Sequence, residues 1–216
     1  MPPARGVRFA WLARLFGSAM ALYTRVIAAT SRISGDITDE QVVLAFWHEY
    51  NLCAVTVARG RRLRLPHASF STQGFRGVVI STMLRRSGVR QVLPLPPETD
   101  RAGARSFALR MAALGREGYS LAVTPDGPFG PYRVAKPGAL IVAREAGLEI
   151  VPWAIAARPA IRLTGRWDRF LVPLPFSRLR LVAGGPMRVE ERGPLRPQLD
   201  RLQRALDAVA AQAERR

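Results

Sequence analysis

Residues 119–131 read Tyr-Ser-Leu-Ala-Val-Thr-Pro-Asp-Gly-Pro-Phe-Gly-Pro, and this stretch decides the fold. Its first part, 119–124, is a short apolar run of the kind expected for a strand that is buried on both faces. Its second part, 125–131, combines prolines, which fix φ, with glycines, which allow a positive φ, and so predicts a stiff loop. Asp126 therefore stands at the carboxyl end of a buried strand.

The same alternation of buried strand and helix continues on both sides of this stretch. A continuous apolar run at 42–47 predicts another buried strand, which ends at His48. Residues 54–59 and 61–67 fit either a helix or short strands. The pattern predicts an α/β fold in which helices flank a central, mostly parallel β-sheet. We expect further strands at 89–95, 149–155, 168–173 and 178–184, and helices at 77–86, 103–116 and 138–146.

The N-terminal segment 7–29 is nearly all apolar apart from three arginines. Its longest uncharged run, 15–24, is shorter than the roughly 20 residues that cross a bilayer, and arginines near a bilayer centre are costly. A helix that lies in the membrane interface, or a first helix packed on the core, therefore fits better than a spanning helix. A cleaved signal peptide fits less well, because no small-residue cleavage site precedes a change in composition.

The C-terminal segment 195–216 carries apolar residues at steps of three and four, which predicts an amphipathic helix with a charged outer face. With 216 residues, the chain is long enough for one domain with a substantial core. We divide it into a membrane-associating or core-packing helix at 1–34, an α/β domain at 35–194, and a C-terminal helix at 195–216 that packs on the domain.

The chain has a formal net charge of +17, and Lys136 is its only lysine among 33 basic residues. A coding bias toward arginine explains the ratio of arginine to lysine, but it does not explain the excess of positive charge. Arginine-rich surfaces bind phosphates bidentately, and such phosphates belong to lipid headgroups, cofactors or nucleic acids. The charges are scattered along the chain and no nucleic-acid-binding motif is recognised, so we expect no nucleic acid as a partner.

Two histidines and one cysteine limit the chemistry that this chain can perform. His48 ends a predicted buried strand, where the ligands of open parallel sheets collect, and is placed to act as a general base. The alternative is a core histidine satisfied by a backbone carbonyl. His67 is interpreted as a loop residue, and Cys53, in an apolar run, as a buried structural thiol. We expect no bound metal.

Lys136 stands just before a predicted helix start, where its ammonium and the helix amides can hold a phosphate or carboxylate. The alternative interpretation of this region is a rigid turn in which Asp126 only accepts hydrogen bonds.

Six stretches, in order over roughly residues 40–190, resemble a known family. They are Phe46-Trp47-His48, Thr124-Pro125-Asp126-Gly127-Pro128-Phe129-Gly130-Pro131, Lys136-Pro137-Gly138, Val151-Pro152, Trp167-Asp168-Arg169-Phe170 and Pro173-x-Pro175-Phe176-Ser177-Arg178. Together they are similar to the DUF374 branch of the lysophospholipid acyltransferase superfamily, of which this chain would be a divergent member.

The resemblance implies transfer of a fatty acyl group from acyl-CoA or acyl carrier protein to a hydroxyl of a (lyso)phospholipid-like or other lipid acceptor. It implies that His48 is the general base and that no cofactor is bound. The partners would be membrane lipids, an anionic membrane surface and acyl carrier protein. The protein would then lie at the cytoplasmic face of the inner membrane, bound peripherally or by a single N-terminal anchor. The substrate-binding residues would be Thr124, Pro125, Gly127 and Pro128. Apart from the resemblance, Arg76, Arg101, Arg105, Arg133 and Lys136 are candidates for substrate binding, because their positive charges can hold donor or acceptor phosphates.

Two departures from the family pattern bear on activity. The residue five positions after His48, where the family carries an acid, is Cys53, and the stretch 72–78 lacks the family's histidine and acids. We therefore take Asp126 as a hypothetical catalytic partner of His48. The alternatives are a catalytically inactive lipid-binding protein of the same fold and a basic nucleic-acid-binding protein.

Overall fold

The computed structural model describes residues 9–35, 38–61, 65–96 and 101–215, and of Arg101 it describes only the backbone. The helices are α1 Ala10–Thr30, α2 Asn51–Arg61, α3 Gly74–Arg86, α4 Arg101–Arg116, α5 Gly138–Ala146 and α6 Leu195–Glu214. A short 3₁₀ turn, His48–Tyr50, precedes α2. The strands are β1 Arg32–Ser34, β2 Val43–Phe46, β3 His67–Ser71, β4 Gln91–Pro94, β5 Ser120–Val123, β6 Ile150–Arg162 and β7 Leu171–Ala183.

The described strands form one seven-stranded sheet in the order β1-β7-β6-β2-β5-β3-β4. Neighbouring strands are parallel throughout, except for the antiparallel pair β6 and β7. The expected central, mostly parallel sheet is therefore confirmed. In the β2–β5 pair Val43 lies opposite Leu121 and Ala45 opposite Val123, so the two strands end side by side. The residues that follow them consequently leave the sheet at the same edge.

The helices fall into two groups that pack on the sheet. Helix α1 contacts both α2 and α3, while α5 contacts both α4 and α6. The central strands are buried because both groups cover them, and Val43, Leu121 and Ile150 are fully inaccessible. Burial on both faces is the reason that these strands have continuous apolar sequences rather than alternating ones.

Helix α1 packs closely on α3 and keeps one face exposed. A side chain at Gly17 would lie 2.5 Å from the carbonyl oxygen of Val79, so the glycine allows the two backbones to approach. Ala13, Gly17, Ala21, Thr24 and Ile27 are buried, whereas the opposite face exposes large apolar side chains. Within the described residues α1 alone is long and apolar enough to cross a membrane.

Three sequence-based expectations need correction. The predicted strands at 168–173 and 178–184 are one long strand, β7, which pairs with β6 as a hairpin, and β6 itself continues to Arg162. The undecided segments 54–59 and 61–67 contain most of α2 and the start of β3. His67 is therefore the first residue of a strand, and the loop interpretation was wrong. Short β1 was not predicted.

Candidate active site

His48 and Asp126 meet where β2 and β5 end. The backbone N–H of His48 lies 3.2 Å from both carboxylate oxygens of Asp126, and the ring Nδ1 lies 3.4 Å from Oδ1. Asp126 is fully buried, and the side chain of His48 is 13% exposed. One carboxylate thus holds both the backbone and the ring of the histidine.

The contact with Asp126 orients the imidazole ring of His48 and favours one of its tautomers. A carboxylate beside Nδ1 favours the tautomer that carries its proton on Nδ1, because that proton can be donated to the carboxylate. Nε2, on the other side of the ring, then keeps its lone pair and can accept a proton. In this tautomer His48 can act as a base, with its ring oriented by the buried Asp126.

The loop after β5 is stiff, as its composition predicts. The N–H of Gly127 donates to the carbonyl of Thr124 at 3.1 Å, and the N–H of Lys136 donates to the carbonyl of Pro125 at 2.9 Å. Gly127 has φ +68, and a side chain there would lie 3.3 Å from Lys136 Nζ. The loop is pinned to the segment that precedes α5, and this holds Asp126 in place.

The turn between β6 and β7 covers the histidine. The ring of Trp167 lies 5.2 Å from the ring of His48, centroid to centroid. Gly130, with φ +71, lies against Trp167, since a side chain there would come within 2.6 Å of Trp167 Cε3. The loop 125–131, Trp167 and His48 therefore pack against one another.

The same turn contains a second buried carboxylate. Arg166 donates to Asp168 through Nε and Nη2, both at 2.8 Å, and Asp168 is fully buried. Burial alone would raise the pKa of Asp168, but the hydrogen bonds and charge of Arg166, together with nearby His48, hold that pKa below its usual value. The interaction with Asp168 also raises the pKa of Arg166. Sequence reasoning gave Arg166 no role, although the Arg-x-Asp spacing beside the Trp-Asp motif was visible.

Two cavities flank the loop that carries Asp126. The first, of about 450 Å³, is lined by His48, Arg76, Arg166 and Asp168 and by apolar residues of α1, α2 and α3. The second, of about 1000 Å³, is lined by residues of α4 and α5 together with the loop. Phe70, Thr124 and Pro128 belong to both, so the loop forms a wall between the two cavities.

Comparisons with known proteins place the fold. No family model matches the chain. The crystal structure of the 1-acyl-sn-glycerophosphate (LPA) acyltransferase PlsC from Thermotoga maritima superposes with a TM-score of 0.55 and 14% sequence identity, covering 96% of this chain and 80% of that one. The chain has the fold of that acyltransferase.

One curated sequence is also similar. An uncharacterized protein of Rickettsia prowazekii is 23% identical over 151 residues, which are 70% of this chain and 66% of that protein. The matched segment thus spans slightly less than two thirds of the relative. The proposed DUF374 membership stays a prediction, because neither similarity identifies a branch of the superfamily.

The structure brings together most of the sequence-predicted site residues, but on two sides of the loop. Thr124, Pro128 and Arg76 line the first cavity with His48, and Asp126 lies buried against the histidine. The residues that line the second cavity are Pro125, Gly127, Arg105 and Lys136, together with the shared Thr124 and Pro128.

Arg133 lies apart from this group. It has φ +53, and its guanidinium pairs with the buried Glu49 and with Glu214 of α6 while lying over the ring of Tyr50. These contacts tie α6 to the 3₁₀ turn that precedes α2. The side chain of Arg101 falls outside the described part of the chain.

Cys53 is fully buried in the hydrophobic core. Burial, with the nearby charge of Glu49, raises the pKa of its thiol to about 12. Glu49 itself is buried and is bound by Tyr132, Arg133 and Arg162. Neither Glu49, which follows His48 in sequence, nor Cys53, five residues after it, is the partner of the histidine ring; that partner is Asp126. Among the described residues, no group of three or more His, Cys, Asp or Glu side chains is arranged to bind a metal.

Proposed function

We propose that this protein is an acyltransferase that moves a fatty acyl group from a thioester donor to a hydroxyl of a lipid acceptor. The observation that carries the proposal is the contact between His48 Nδ1 and the buried Asp126 beside a largely apolar cavity. A base of this geometry, next to space for an acyl chain, suits proton abstraction from a hydroxyl. The fold shared with the Thermotoga maritima acyltransferase is consistent with this chemistry.

The reaction follows from the orientation of the histidine. Nε2 of His48 removes the proton of the acceptor hydroxyl while that oxygen attacks the thioester carbonyl. A carbon–oxygen bond forms and the carbon–sulfur bond breaks. The departing sulfur then takes the proton from the imidazolium, which Asp126 stabilises through Nδ1. The products are an ester and a free thiol, and no group of the protein is altered.

The donor is acyl-CoA or acyl carrier protein, and the acceptor is a lysophospholipid or a similar single-chain lipid. The apolar side chains that line the first cavity, such as Met20, Leu52, Ile80 and Met83, suit such a chain. The exposed apolar face of α1 would rest on an anionic membrane, from which the acceptor enters. The location that we propose is peripheral, at the cytoplasmic face of the inner membrane.

Purified protein assayed with labelled acyl-CoA and acylated carrier protein, against a panel of lysophospholipids, tests the proposal. We expect His48→Ala to lower turnover by about 10²- to 10⁴-fold, since the general base is lost. Asp126→Asn, which keeps the shape but favours the wrong tautomer, should lower turnover by no more than His48→Ala does, because Asp126 acts through the histidine.

His67→Ala is the matched control. His67 begins β3 at the amino end of the strand, while Ser71, at the other end, lines the cavity. This variant should keep wild-type turnover. If the wild-type protein transfers no acyl group from any donor but binds lipid, the inactive lipid-binding alternative is correct. Steep salt-dependent affinity for DNA without affinity for anionic vesicles would instead support the nucleic-acid alternative.

A further inference from the structure

Arg166 stands at the cavity of His48 with part of its guanidinium free. Its Nε and Nη2 are occupied by Asp168, and Nη1 has no hydrogen-bond partner among the described residues. The side chain is 43% exposed, whereas Asp168 is completely inaccessible. A buried carboxylate that binds two of the three nitrogens fixes the plane and direction of the guanidinium, which reduces the entropy lost when it binds a ligand.

Two arginines and one acid are among the described residues that line this cavity. Arg76 lines it too and, in the part of the chain that the structure describes, forms no ion pair or hydrogen bond. Among the described lining residues Asp168 is the only acid, and Arg166 compensates its charge; Asp126 lies behind His48 and does not line the cavity. One uncompensated arginine and the free edge of a second therefore face a space that also contains His48.

Two hydroxyls of the lining point to a polar ligand as well. Thr72 Oγ1 and Thr124 Oγ1 are buried and have no hydrogen-bond partner within the described ranges. Both residues line this cavity. Buried polar atoms are costly when unpaired, and in native proteins they are nearly always satisfied by protein, water or ligand.

We infer that Arg166, positioned by Asp168, binds the anionic group of the acceptor and so determines which lipids are substrates. The ligand is a single-chain amphiphile that carries a phosphate or similar anion near its free hydroxyl. Its headgroup contacts Arg166 and Arg76, and its chain lies among the apolar residues of α1–α3. The inference rests on the proposed function and adds the charge selectivity of the site.

Binding measured without a donor separates this inference from catalysis. The probes are a short-chain lysophosphatidate below its micelle concentration, the neutral monoacylglycerol of the same chain length, and coenzyme A, each titrated calorimetrically into full-length protein. Wild-type protein should prefer lysophosphatidate to monoacylglycerol. Arg166→Gln should weaken lysophosphatidate binding about 10- to 100-fold, the range for one charge-assisted contact, and leave monoacylglycerol binding unchanged.

The companion variants distinguish binding from folding. Arg166→Lys keeps the positive charge but loses the planar guanidinium. This variant should recover part of the preference for lysophosphatidate over monoacylglycerol. Asp168→Asn should lower the preference through Arg166; if it does not fold, the two Arg166 variants still decide. Arg169→Gln is the matched control, because this arginine is in the same turn and lies over Tyr132 rather than in the cavity lining.

Three outcomes would overturn the inference. If Arg166→Gln weakened the binding of lysophosphatidate and of monoacylglycerol equally, the arginine would only support the fold. Unchanged lysophosphatidate binding would remove its role in recognition. If Arg166→Gln weakened only the binding of coenzyme A, the anion that Arg166 binds would belong to the acyl donor rather than to the acceptor. In each case the effect of His48→Ala on turnover is still informative, so failure here does not refute the acyltransferase proposal.

Discussion

At the scale of single residues, His48 and the carboxylate that contacts it follow different strands. In the resembling family the acid follows the histidine by five residues on the same segment, and here that position is Cys53. The carboxylate that contacts His48 instead belongs to Asp126, three residues beyond β5. The parallel register of β2 and β5 makes this possible, because it places the residues after both strands at one edge.

The surroundings of Cys53 show why this position cannot easily hold the acid that the resembling family carries there. The residue is fully buried in the core, its thiol lies 3.9 Å from the carbonyl of Leu171, and the charge of Glu49 is nearby. We expect Cys53→Asp to destabilise the protein by about 3–5 kcal/mol, because it buries a carboxylate without a partner.

Thermal or urea unfolding measures this effect, with Cys53→Ser as the control that adds a small polar group but no charge. Turnover of the folded fraction should not rise above wild type. A Cys53→Asp protein that folds normally and is more active would mean that the acid of the family acts from this position in the present chain as well.

At the scale of elements, sequence analysis correctly predicted the strands and helices that the local pattern of apolar residues determines. Continuous apolar runs predicted β2 and β5, and α5 was predicted at its observed bounds of 138–146. The β6–β7 hairpin was missed, because its outer portions alternate buried and exposed residues and contain prolines, which resemble strand breaks in sequence. Pairing with a neighbour, rather than local propensity, makes these strands long.

The site was predictable to a similar extent. Strand ends identified His48 and Asp126, and the parallel sheet brings them together. The role of the β6–β7 turn was not predictable, because nothing in the local sequence shows that Trp167 returns to the ring of His48. Arg133 was predicted as a phosphate ligand, yet its neighbours in space are Glu49 and Glu214, which are far from it in sequence.

The loop 125–131 offers a test of this packing at the element scale. Gly130→Ala should strain the backbone by about 1–2 kcal/mol because of its φ of +71, and should also push Trp167 away from His48. We expect turnover to fall about 10- to 100-fold, since small displacements of catalytic groups have effects of this size.

Gly147→Ala provides a close control. Its φ is +70, but no atom lies within 4 Å of where its side chain would be. It should lose similar stability and keep full turnover. Near-equal turnover in the two variants would show that contact between the loop and Trp167 does not position the histidine.

At the scale of the whole molecule, α1 lies between the cavity of His48 and the exposed surface. Its inner face packs on α3, and Met20 and Tyr23 line the cavity of His48. Its outer face exposes Trp11, Leu15, Phe16 and Leu22, each by more than half. Large apolar side chains exposed on a helix outside the core fit binding at the membrane interface.

Charge supports the same orientation. Arg14 and Arg25 are exposed on α1, and the chain as a whole carries +17. Such charge attracts anionic lipid, and the attraction decreases as salt screens it. An acceptor lipid bound beneath α1 would then reach His48 without crossing water, because the cavity lies between this helix and the end of β2.

Vesicle co-sedimentation tests this arrangement. Replacing Trp11, Leu15 and Phe16 together by serine should lower partition onto anionic vesicles at least about 10-fold, since each of these side chains contributes buried apolar area in the interface. The variant should keep its folding cooperativity, because all three side chains are exposed in the protein. Raising the salt concentration should weaken binding of both proteins.

Leu109→Ser is the control, an exposed apolar residue of α4 in the other group of helices. Its partition onto vesicles should equal that of the wild type. Turnover separates the roles further. On vesicle-bound acceptor the triple variant should be slow, whereas on a short-chain acceptor dissolved in water it should match wild type, because His48 and Asp126 are untouched. Equal loss on both acceptors would mean that α1 shapes the cavity rather than binding the membrane.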